Sequence, residues 1–204
     1  MGKLSDGQII AMAREHFRCF LALVWSHLGL PMPTPTQIEI ADYLQYGGRN
    51  IIIHAMRGEG KSWITAAFVL WCLWNNPKIN VMVVSASGSK ALEFSTFAKR
   101  LILEMPLLQH MRPRTDQRDS VQAWDVNGAG ISQAPSVKSV GITGQITGSR
   151  ADLIVADDIE TITNSLTSDQ RDKLLHLVTE FVSVLKPSGR VAFLGTPQSI
   201  ETIY

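Results

Sequence analysis

Cysteine is scarce: Cys19 and Cys72 are the only two in 204 residues. Neither belongs to a CxxC pair and neither has a histidine at metal-ligand spacing, which excludes a disulfide scaffold and a zinc site. Both fall in apolar, helical-looking stretches and read as buried free thiols of a reducing cytoplasm. Charge of one sign is also missing, since 19 Lys and Arg stand against 18 Asp and Glu, a net charge of +1. That excludes a module gripping nucleic acid by bulk electrostatics; any such surface must be local or arise in an assembly. Long hydrophobic runs are absent too. Phe20 to Trp25, flanked by Arg18 and His27, is too short for a membrane span or a signal peptide. There is no repeat and no low-complexity tract. Apolar residues still make up 45% of the chain, enough for one continuous core at a length that fits one domain.

What is present alternates between two periods. Ser5 can cap a helix with Ile9, Met12, Phe17, Phe20, Leu21 and Trp25 at helical spacing, ended by Pro31, Pro33 and Pro35. A second helix is predicted from Thr36 or Gln37 to about Tyr46, closed by Gly47-Gly48. Ile51-Ile52-Ile53-His54 is a β-branched run that fits a buried central strand. A helix over 61–74, a strand over 80–84 and a helix over 91–105 follow. The stretch 106–140 is less regular, with short strands expected near 121–124 and 137–140. A strand at 152–156, a helix from its expected cap Ser168 to Leu185, and a strand at 190–194 come last. Apolar strands alternating with helices predict an α/β fold with a mainly parallel sheet covered on both faces. Ligands of such sheets bind at the carboxyl ends of the strands.

The loop Ala55-Met56-Arg57-Gly58-Glu59-Gly60-Lys61-Ser62 lies between a strand and a helix, as a phosphate-binding P-loop does. Backbone N–H groups would curl around the phosphates at the positive end of the helix dipole. Lys61 would reach the β- and γ-phosphates of ATP, and the Ser62 hydroxyl would bind Mg2+. A lysine at a helix N-terminus opposes the dipole, so an anion is needed to explain it. Ala55 replaces the first glycine, which is tolerable at negative φ. Arg57 adds a second cation beside the phosphates; its alternative is a solvated loop arginine.

Asp157-Asp158 closes the apolar run 153–156. This is the Walker B arrangement, in which Asp157 holds magnesium and Asp158 polarises the attacking water. Glu160 is a rival for the base. Gln37, within Pro33-Thr34-Pro35-Thr36-Gln37, can pair with both edges of adenine, or be a first-turn helix residue. Thr196, in Gly195-Thr196-Pro197, can sense the γ-phosphate, or merely end a strand. Arg150 can reach a neighbouring subunit's γ-phosphate as an arginine finger, or pair with Asp152. Ser85-Ala86-Ser87 looks like a nucleotide- or strand-facing loop. Trp63, Trp71 and Trp74 share helical spacing and read as core.

Together these strings resemble the large terminase subunit of tailed phages. The resemblance to its podovirus-type branch rests on Gln117-Arg118-Asp119-Ser120-Val121, on the segment Ser136 to Gln145, on Thr147-Gly148-Ser149-Arg150-Ala151-Asp152 and on Leu194-Gly195-Thr196-Pro197-Gln198. The resemblance implies a P-loop NTPase of the ASCE, RecA-like kind. Residues 1–50 would form a helical segment carrying the adenine-side motif, and 51–204 the ATPase core. It further implies a homo-oligomeric ring, expected to be a pentamer, at the portal protein of a procapsid in the host cytoplasm. That ring would work with a small terminase subunit and drive double-stranded DNA inward. Gly195-Thr196-Pro197 would match the coupling motif. A nuclease domain normally follows; the chain ends at Tyr204, before one could begin, and reads as cut from something longer. A helicase-like DNA-dependent ATPase is the alternative, though a helicase needs a second RecA-like half. A nucleotide-gated assembly module without turnover would need only one of the paired acids.

Overall fold

The computed structural model describes residues 4–198 and 200–204. Ser5 accepts from the Gln8 amide and caps α1, Asp6–Glu15. The apolar spacing predicts one helix up to Trp25, but the backbone turns extended at His16 and restarts as α2, Phe17–His27. The restart is stabilised from outside, because Gln45 Oε1 accepts from the Phe17 amide at 2.7 Å and His16 Nδ1 meets the Tyr46 hydroxyl at 2.9 Å. Gln45 and Tyr46 sit at the end of α3, Pro35–Tyr46, whose Pro at the first turn and Thr34 capping box start it one or two residues before the predicted Thr36 or Gln37.

Then β1, Asn50–His54, leads into α4, Lys61–Asn75. Next come β2, Val81–Ser85; α5, Gly88–Glu104; a 3-10 turn, Pro106–Met111; β3, Ala123–Trp124; and β4, Val137–Gly141. The chain finishes with β5, Ala151–Asp157; α6, Ile162–Ser165; α7, Ser168–Val184; and β6, Leu185–Gly195. Thr167, not Ser168, caps α7, accepting from the Gln170 amide. The sheet order is β1-β6-β5-β2-β4-β3. All neighbours are parallel except β3 on β4.

Because β6 inserts between β1 and β5, β1 is an edge strand and not a central one. Its residues alternate exposed and buried, and Ile52 stays 46% exposed. A run of isoleucines cannot distinguish these positions, since either demands β-branched side chains. One sheet face carries Ile51, Ile53, Val83, Val155, Ala192 and Leu194 against α2, α4 and α5; the other carries Met82, Val84, Ile154 and Val191 against α7. Helix α4 is buried nearly all round, from Ile64 to Trp74. Each of its large apolar side chains contributes about 1.5–3 kcal/mol through burial, which fixes its N-terminus at the carboxyl edge of the sheet. Trp63 departs from the core reading: it is 43% exposed and stacks on Phe97, while Trp74 is buried and Trp71 half-buried. Both cysteines are half-buried, short of the full burial expected. Among the described residues no helix is long and apolar enough to cross a membrane.

Candidate nucleotide and metal site

Four strand ends, those of β1, β6, β5 and β2, open on one crevice. The loop after β1 reaches α4 through two left-handed glycines, Gly58 (φ 93°) and Gly60 (φ 74°), the latter being the N-cap. A side chain at either would be strained. Ala55 is not among the positive-φ residues, so its methyl group meets no conformational obstacle. Lys61 opens α4 and is only 5% exposed. Its ammonium donates to the carbonyls of Ala55 and Met56 and to Thr196 Oγ1, each at 2.9 Å. Those three acceptors offset the unfavourable helix dipole and hold the cation at the mouth of the loop.

Across the crevice, Asp157 ends β5. It is 6% exposed, and its Oδ1 has no hydrogen-bond partner. Burial pushes its carboxyl up to about 6; hydrogen bonding from Ser62 and the charge of Lys61 pull down, while Asp158 adds to the rise. An orphaned buried carboxylate oxygen beside a hydroxyl is a setting that a divalent cation satisfies. Among the described residues no three His, Cys, Asp or Glu side chains cluster to hold a metal by themselves. The donor set suits a metal that arrives with a nucleotide, since magnesium keeps phosphate and water ligands and takes few from protein.

Asp158 is the one non-glycine residue at positive φ, 46°, among those described. Its amide donates to the Leu194 carbonyl at 2.8 Å, and its Oδ1 accepts from the Thr196 amide at 3.2 Å. The inserted strand β6 therefore sets the angle of this turn. Thr196 links both sides: its hydroxyl donates to the Ala55 carbonyl at 2.9 Å while accepting from Lys61. Arg57 donates to Gln198 Oε1 at 3.0 Å, and Gln198 Nε2 donates to the Thr196 carbonyl at 2.7 Å. A cavity of about 470 Å³ runs from Arg57, Ser62 and Ser85 past Asp157 and Asp158 to Trp63 and Phe97. A second, about 400 Å³, lies on the other side of the loop against Thr36, Met56, Glu59, Thr196 and Pro197.

The arrangement thus gathers Arg57, Lys61, Ser62, Asp157, Asp158 and Thr196. Gln37 lies behind the loop. Its Oε1 accepts from the Thr34 amide and the Trp25 indole, and its Nε2 donates to the Glu59 carbonyl, all at 3.1 Å. Arg150 stands apart, exposed at the opposite end of β5, donating to the Ser183 carbonyl at 2.9 Å. It makes no pair with Asp152, which is taken by Lys186 at 2.8 Å. Sequence reasoning missed Gln198 as a member of the site and left Glu160 without a setting. Glu160 is 2% exposed and accepts from Gln198, Thr202 and Ile203. The one signal for Gln198 was its place two residues past Thr196.

No family model matches the chain. It is 48% identical over 199 residues to the terminase large subunit of Enterobacteria phage T3, covering 96% of this chain and 34% of that protein. The chain thus spans about a third of that relative's length, and the resemblance read from its motifs extends over nearly all of it. Among solved structures, the HK97 bacteriophage large terminase superposes with a TM-score of 0.57 at 17% identity, over 83% of this chain and 34% of that one. The N-terminal domain of the bacteriophage phi29 DNA packaging ATPase does so with 0.54 at 14%, over 80% of each. At such identities the likeness establishes the fold alone, an α/β arrangement with a mainly parallel sheet.

Proposed function

We propose that this chain is the ATP-hydrolysing motor domain of a phage large terminase subunit, coupling hydrolysis to the translocation of double-stranded DNA into a procapsid. What carries the reading is the meeting of Lys61 and Ser62 with the unpartnered Asp157 oxygen and the Asp158 turn across one crevice. The N–H groups from Met56 to Lys61 cradle the phosphates, with Lys61 and Arg57 neutralising them. Ser62 and Asp157 would hold Mg2+, which would supply neutralisation of the phosphate charge. Asp158 takes the proton of the attacking water, and Thr196, bonded to Lys61 and to the Asp158 turn, senses the γ-phosphate. Gln37 would meet the adenine from behind the loop.

From the motif resemblance we further propose a portal-bound homo-oligomeric ring, expected to be a pentamer, working with a small terminase subunit in the host cytoplasm. Arg150 would act in trans on a neighbouring subunit's nucleotide, in keeping with its exposed place far from its own crevice. Nuclease activity is not expected of residues 1–204. Steady-state ATP hydrolysis against protein concentration tests the proposal. Loss of turnover in Lys61→Ala, and a faster-than-linear rise with concentration that Arg150→Ala removes, are the expected results. A Lys61→Ala chain that turns over like the native one overturns it.

A further inference from the structure

Glu160 is the most buried carboxylate bordering the crevice, and the roles above leave it unused. A buried carboxylate persists only where donors compensate its lost hydration. Among the described residues, the three donors to its side chain, two backbone amides and one hydroxyl, come from one short segment. The Gln198 amide reaches one oxygen at 2.9 Å, and the Thr202 hydroxyl and Ile203 amide reach the other at 2.7 and 2.8 Å. In return the Glu160 amide donates to the Tyr204 hydroxyl at 3.2 Å. The Tyr204 ring lies edge-on to His54 of β1 and covers Gly195, where a Cβ would overlap it. The beginning of the same segment touches the phosphate loop through Thr196 and Gln198. A general base needs a lone pair turned toward water; these oxygens are turned instead into the segment that follows β6.

We propose that Glu160 is a positioning residue that fastens Thr196 to Gln198 and Thr202 to Tyr204 to the Asp157–Asp158 turn, so that Arg57 and Thr196 meet the triphosphate in register with that turn. The inference rests on the ATPase reading of the crevice. A terminal amide keeps one acceptor oxygen and turns the other into a donor, so Glu160→Gln gives up at least one of the three bonds, roughly a tenfold effect.

The experiment is a double-mutant cycle of Glu160→Gln with Thr202→Val, read by ATP kinetics and by hydrogen exchange at the Gln198 and Ile203 amides. The expected result is a KM for ATP raised roughly tenfold with kcat held within about threefold. Thr202→Val should move KM the same way by less, the double variant should fall short of the product of the two, and both amides should exchange faster in Glu160→Gln. A kcat loss of roughly a thousandfold at unchanged KM, with Thr202→Val silent, overturns the proposal and makes Glu160 the base. Loss of melting temperature with kcat and KM unmoved also overturns it, leaving a purely structural role. Should Lys61→Ala hydrolyse ATP as the native chain does, the ATPase reading fails instead, and the exchange rates alone report whether Glu160 holds the segment.

Discussion

The loop between β1 and α4 and the turn after β5 face each other across one crevice, yet they are held by different means. The loop's turns come from its own residues, with distant side chains only bracing it: Gly58 and Gly60 supply the left-handed turns, α4 supplies the dipole, and Lys61 folds back on carbonyls five and six residues away. The turn is held from a distance. Asp158 takes its conformation from Leu194 of β6 and from Thr196 just beyond it, and Glu160 is compensated by residues 38 to 43 positions further on. Local chemistry makes a site that binds; long-range packing aims the groups that react.

The largest expected effect separates these duties. Asp158→Asn keeps the backbone donor to Leu194 and should retain ATP binding while kcat falls about 10²–10⁴-fold, the span of a lost general base. Lys61→Ala should lose affinity as well, and equal loss of binding in both variants would erase the distinction. Asp157 comes next. Its folded pKa, about 6, lies above the ordinary 3.8, so the folded state favours the protonated form. Stability should therefore fall as pH rises from about 4 through about 6, and the penalty is fully present above that. Asp157→Asn should raise stability by about 1–3 kcal/mol at pH 8 and by nothing at pH 4, measured by denaturant unfolding. Magnesium-dependent nucleotide binding should weaken as pH drops below about 6, because the metal competes with the proton.

A smaller effect tests the local side. Gly60→Ala places a methyl group on a left-handed N-cap and should cost about 1–2 kcal/mol of stability, lowering ATP affinity with little change in kcat. The smallest expected effect is at the joint between the two regions. Thr196→Val removes the hydroxyl shared by Ala55 and Lys61 and should cost about 0.5–1.5 kcal/mol. Its effect should be non-additive with Asp158→Asn, whose side chain accepts from the Thr196 amide.

The fold class was legible because period-2 and period-3.6 patterns are properties of neighbouring residues, and the α4 and β5 runs are long enough to be unambiguous. The phosphate loop was legible for the same reason, since its glycines and lysine act within eight residues. The break at His16 was not, because the cap that stabilises the restart is Gln45 of another helix. The exposure of Trp63 was not either, as helical spacing says which residues share a stripe and not whether the stripe's first turn is covered.

By itself, then, the sequence determined an α/β chain with a phosphate loop opening one helix and paired acids closing one strand, because those devices are built from adjacent residues. Only the tertiary structure decided that β6 lies between β1 and β5, which made β1 an edge, pinned Asp158 at positive φ and brought Thr196 to Lys61. It also decided that the amide of Gln37 braces the loop at Glu59 and that Glu160 faces the segment after β6. Strand order and the compensation of a buried polar group depend on which distant residues arrive beside them, and no window of sequence contains that.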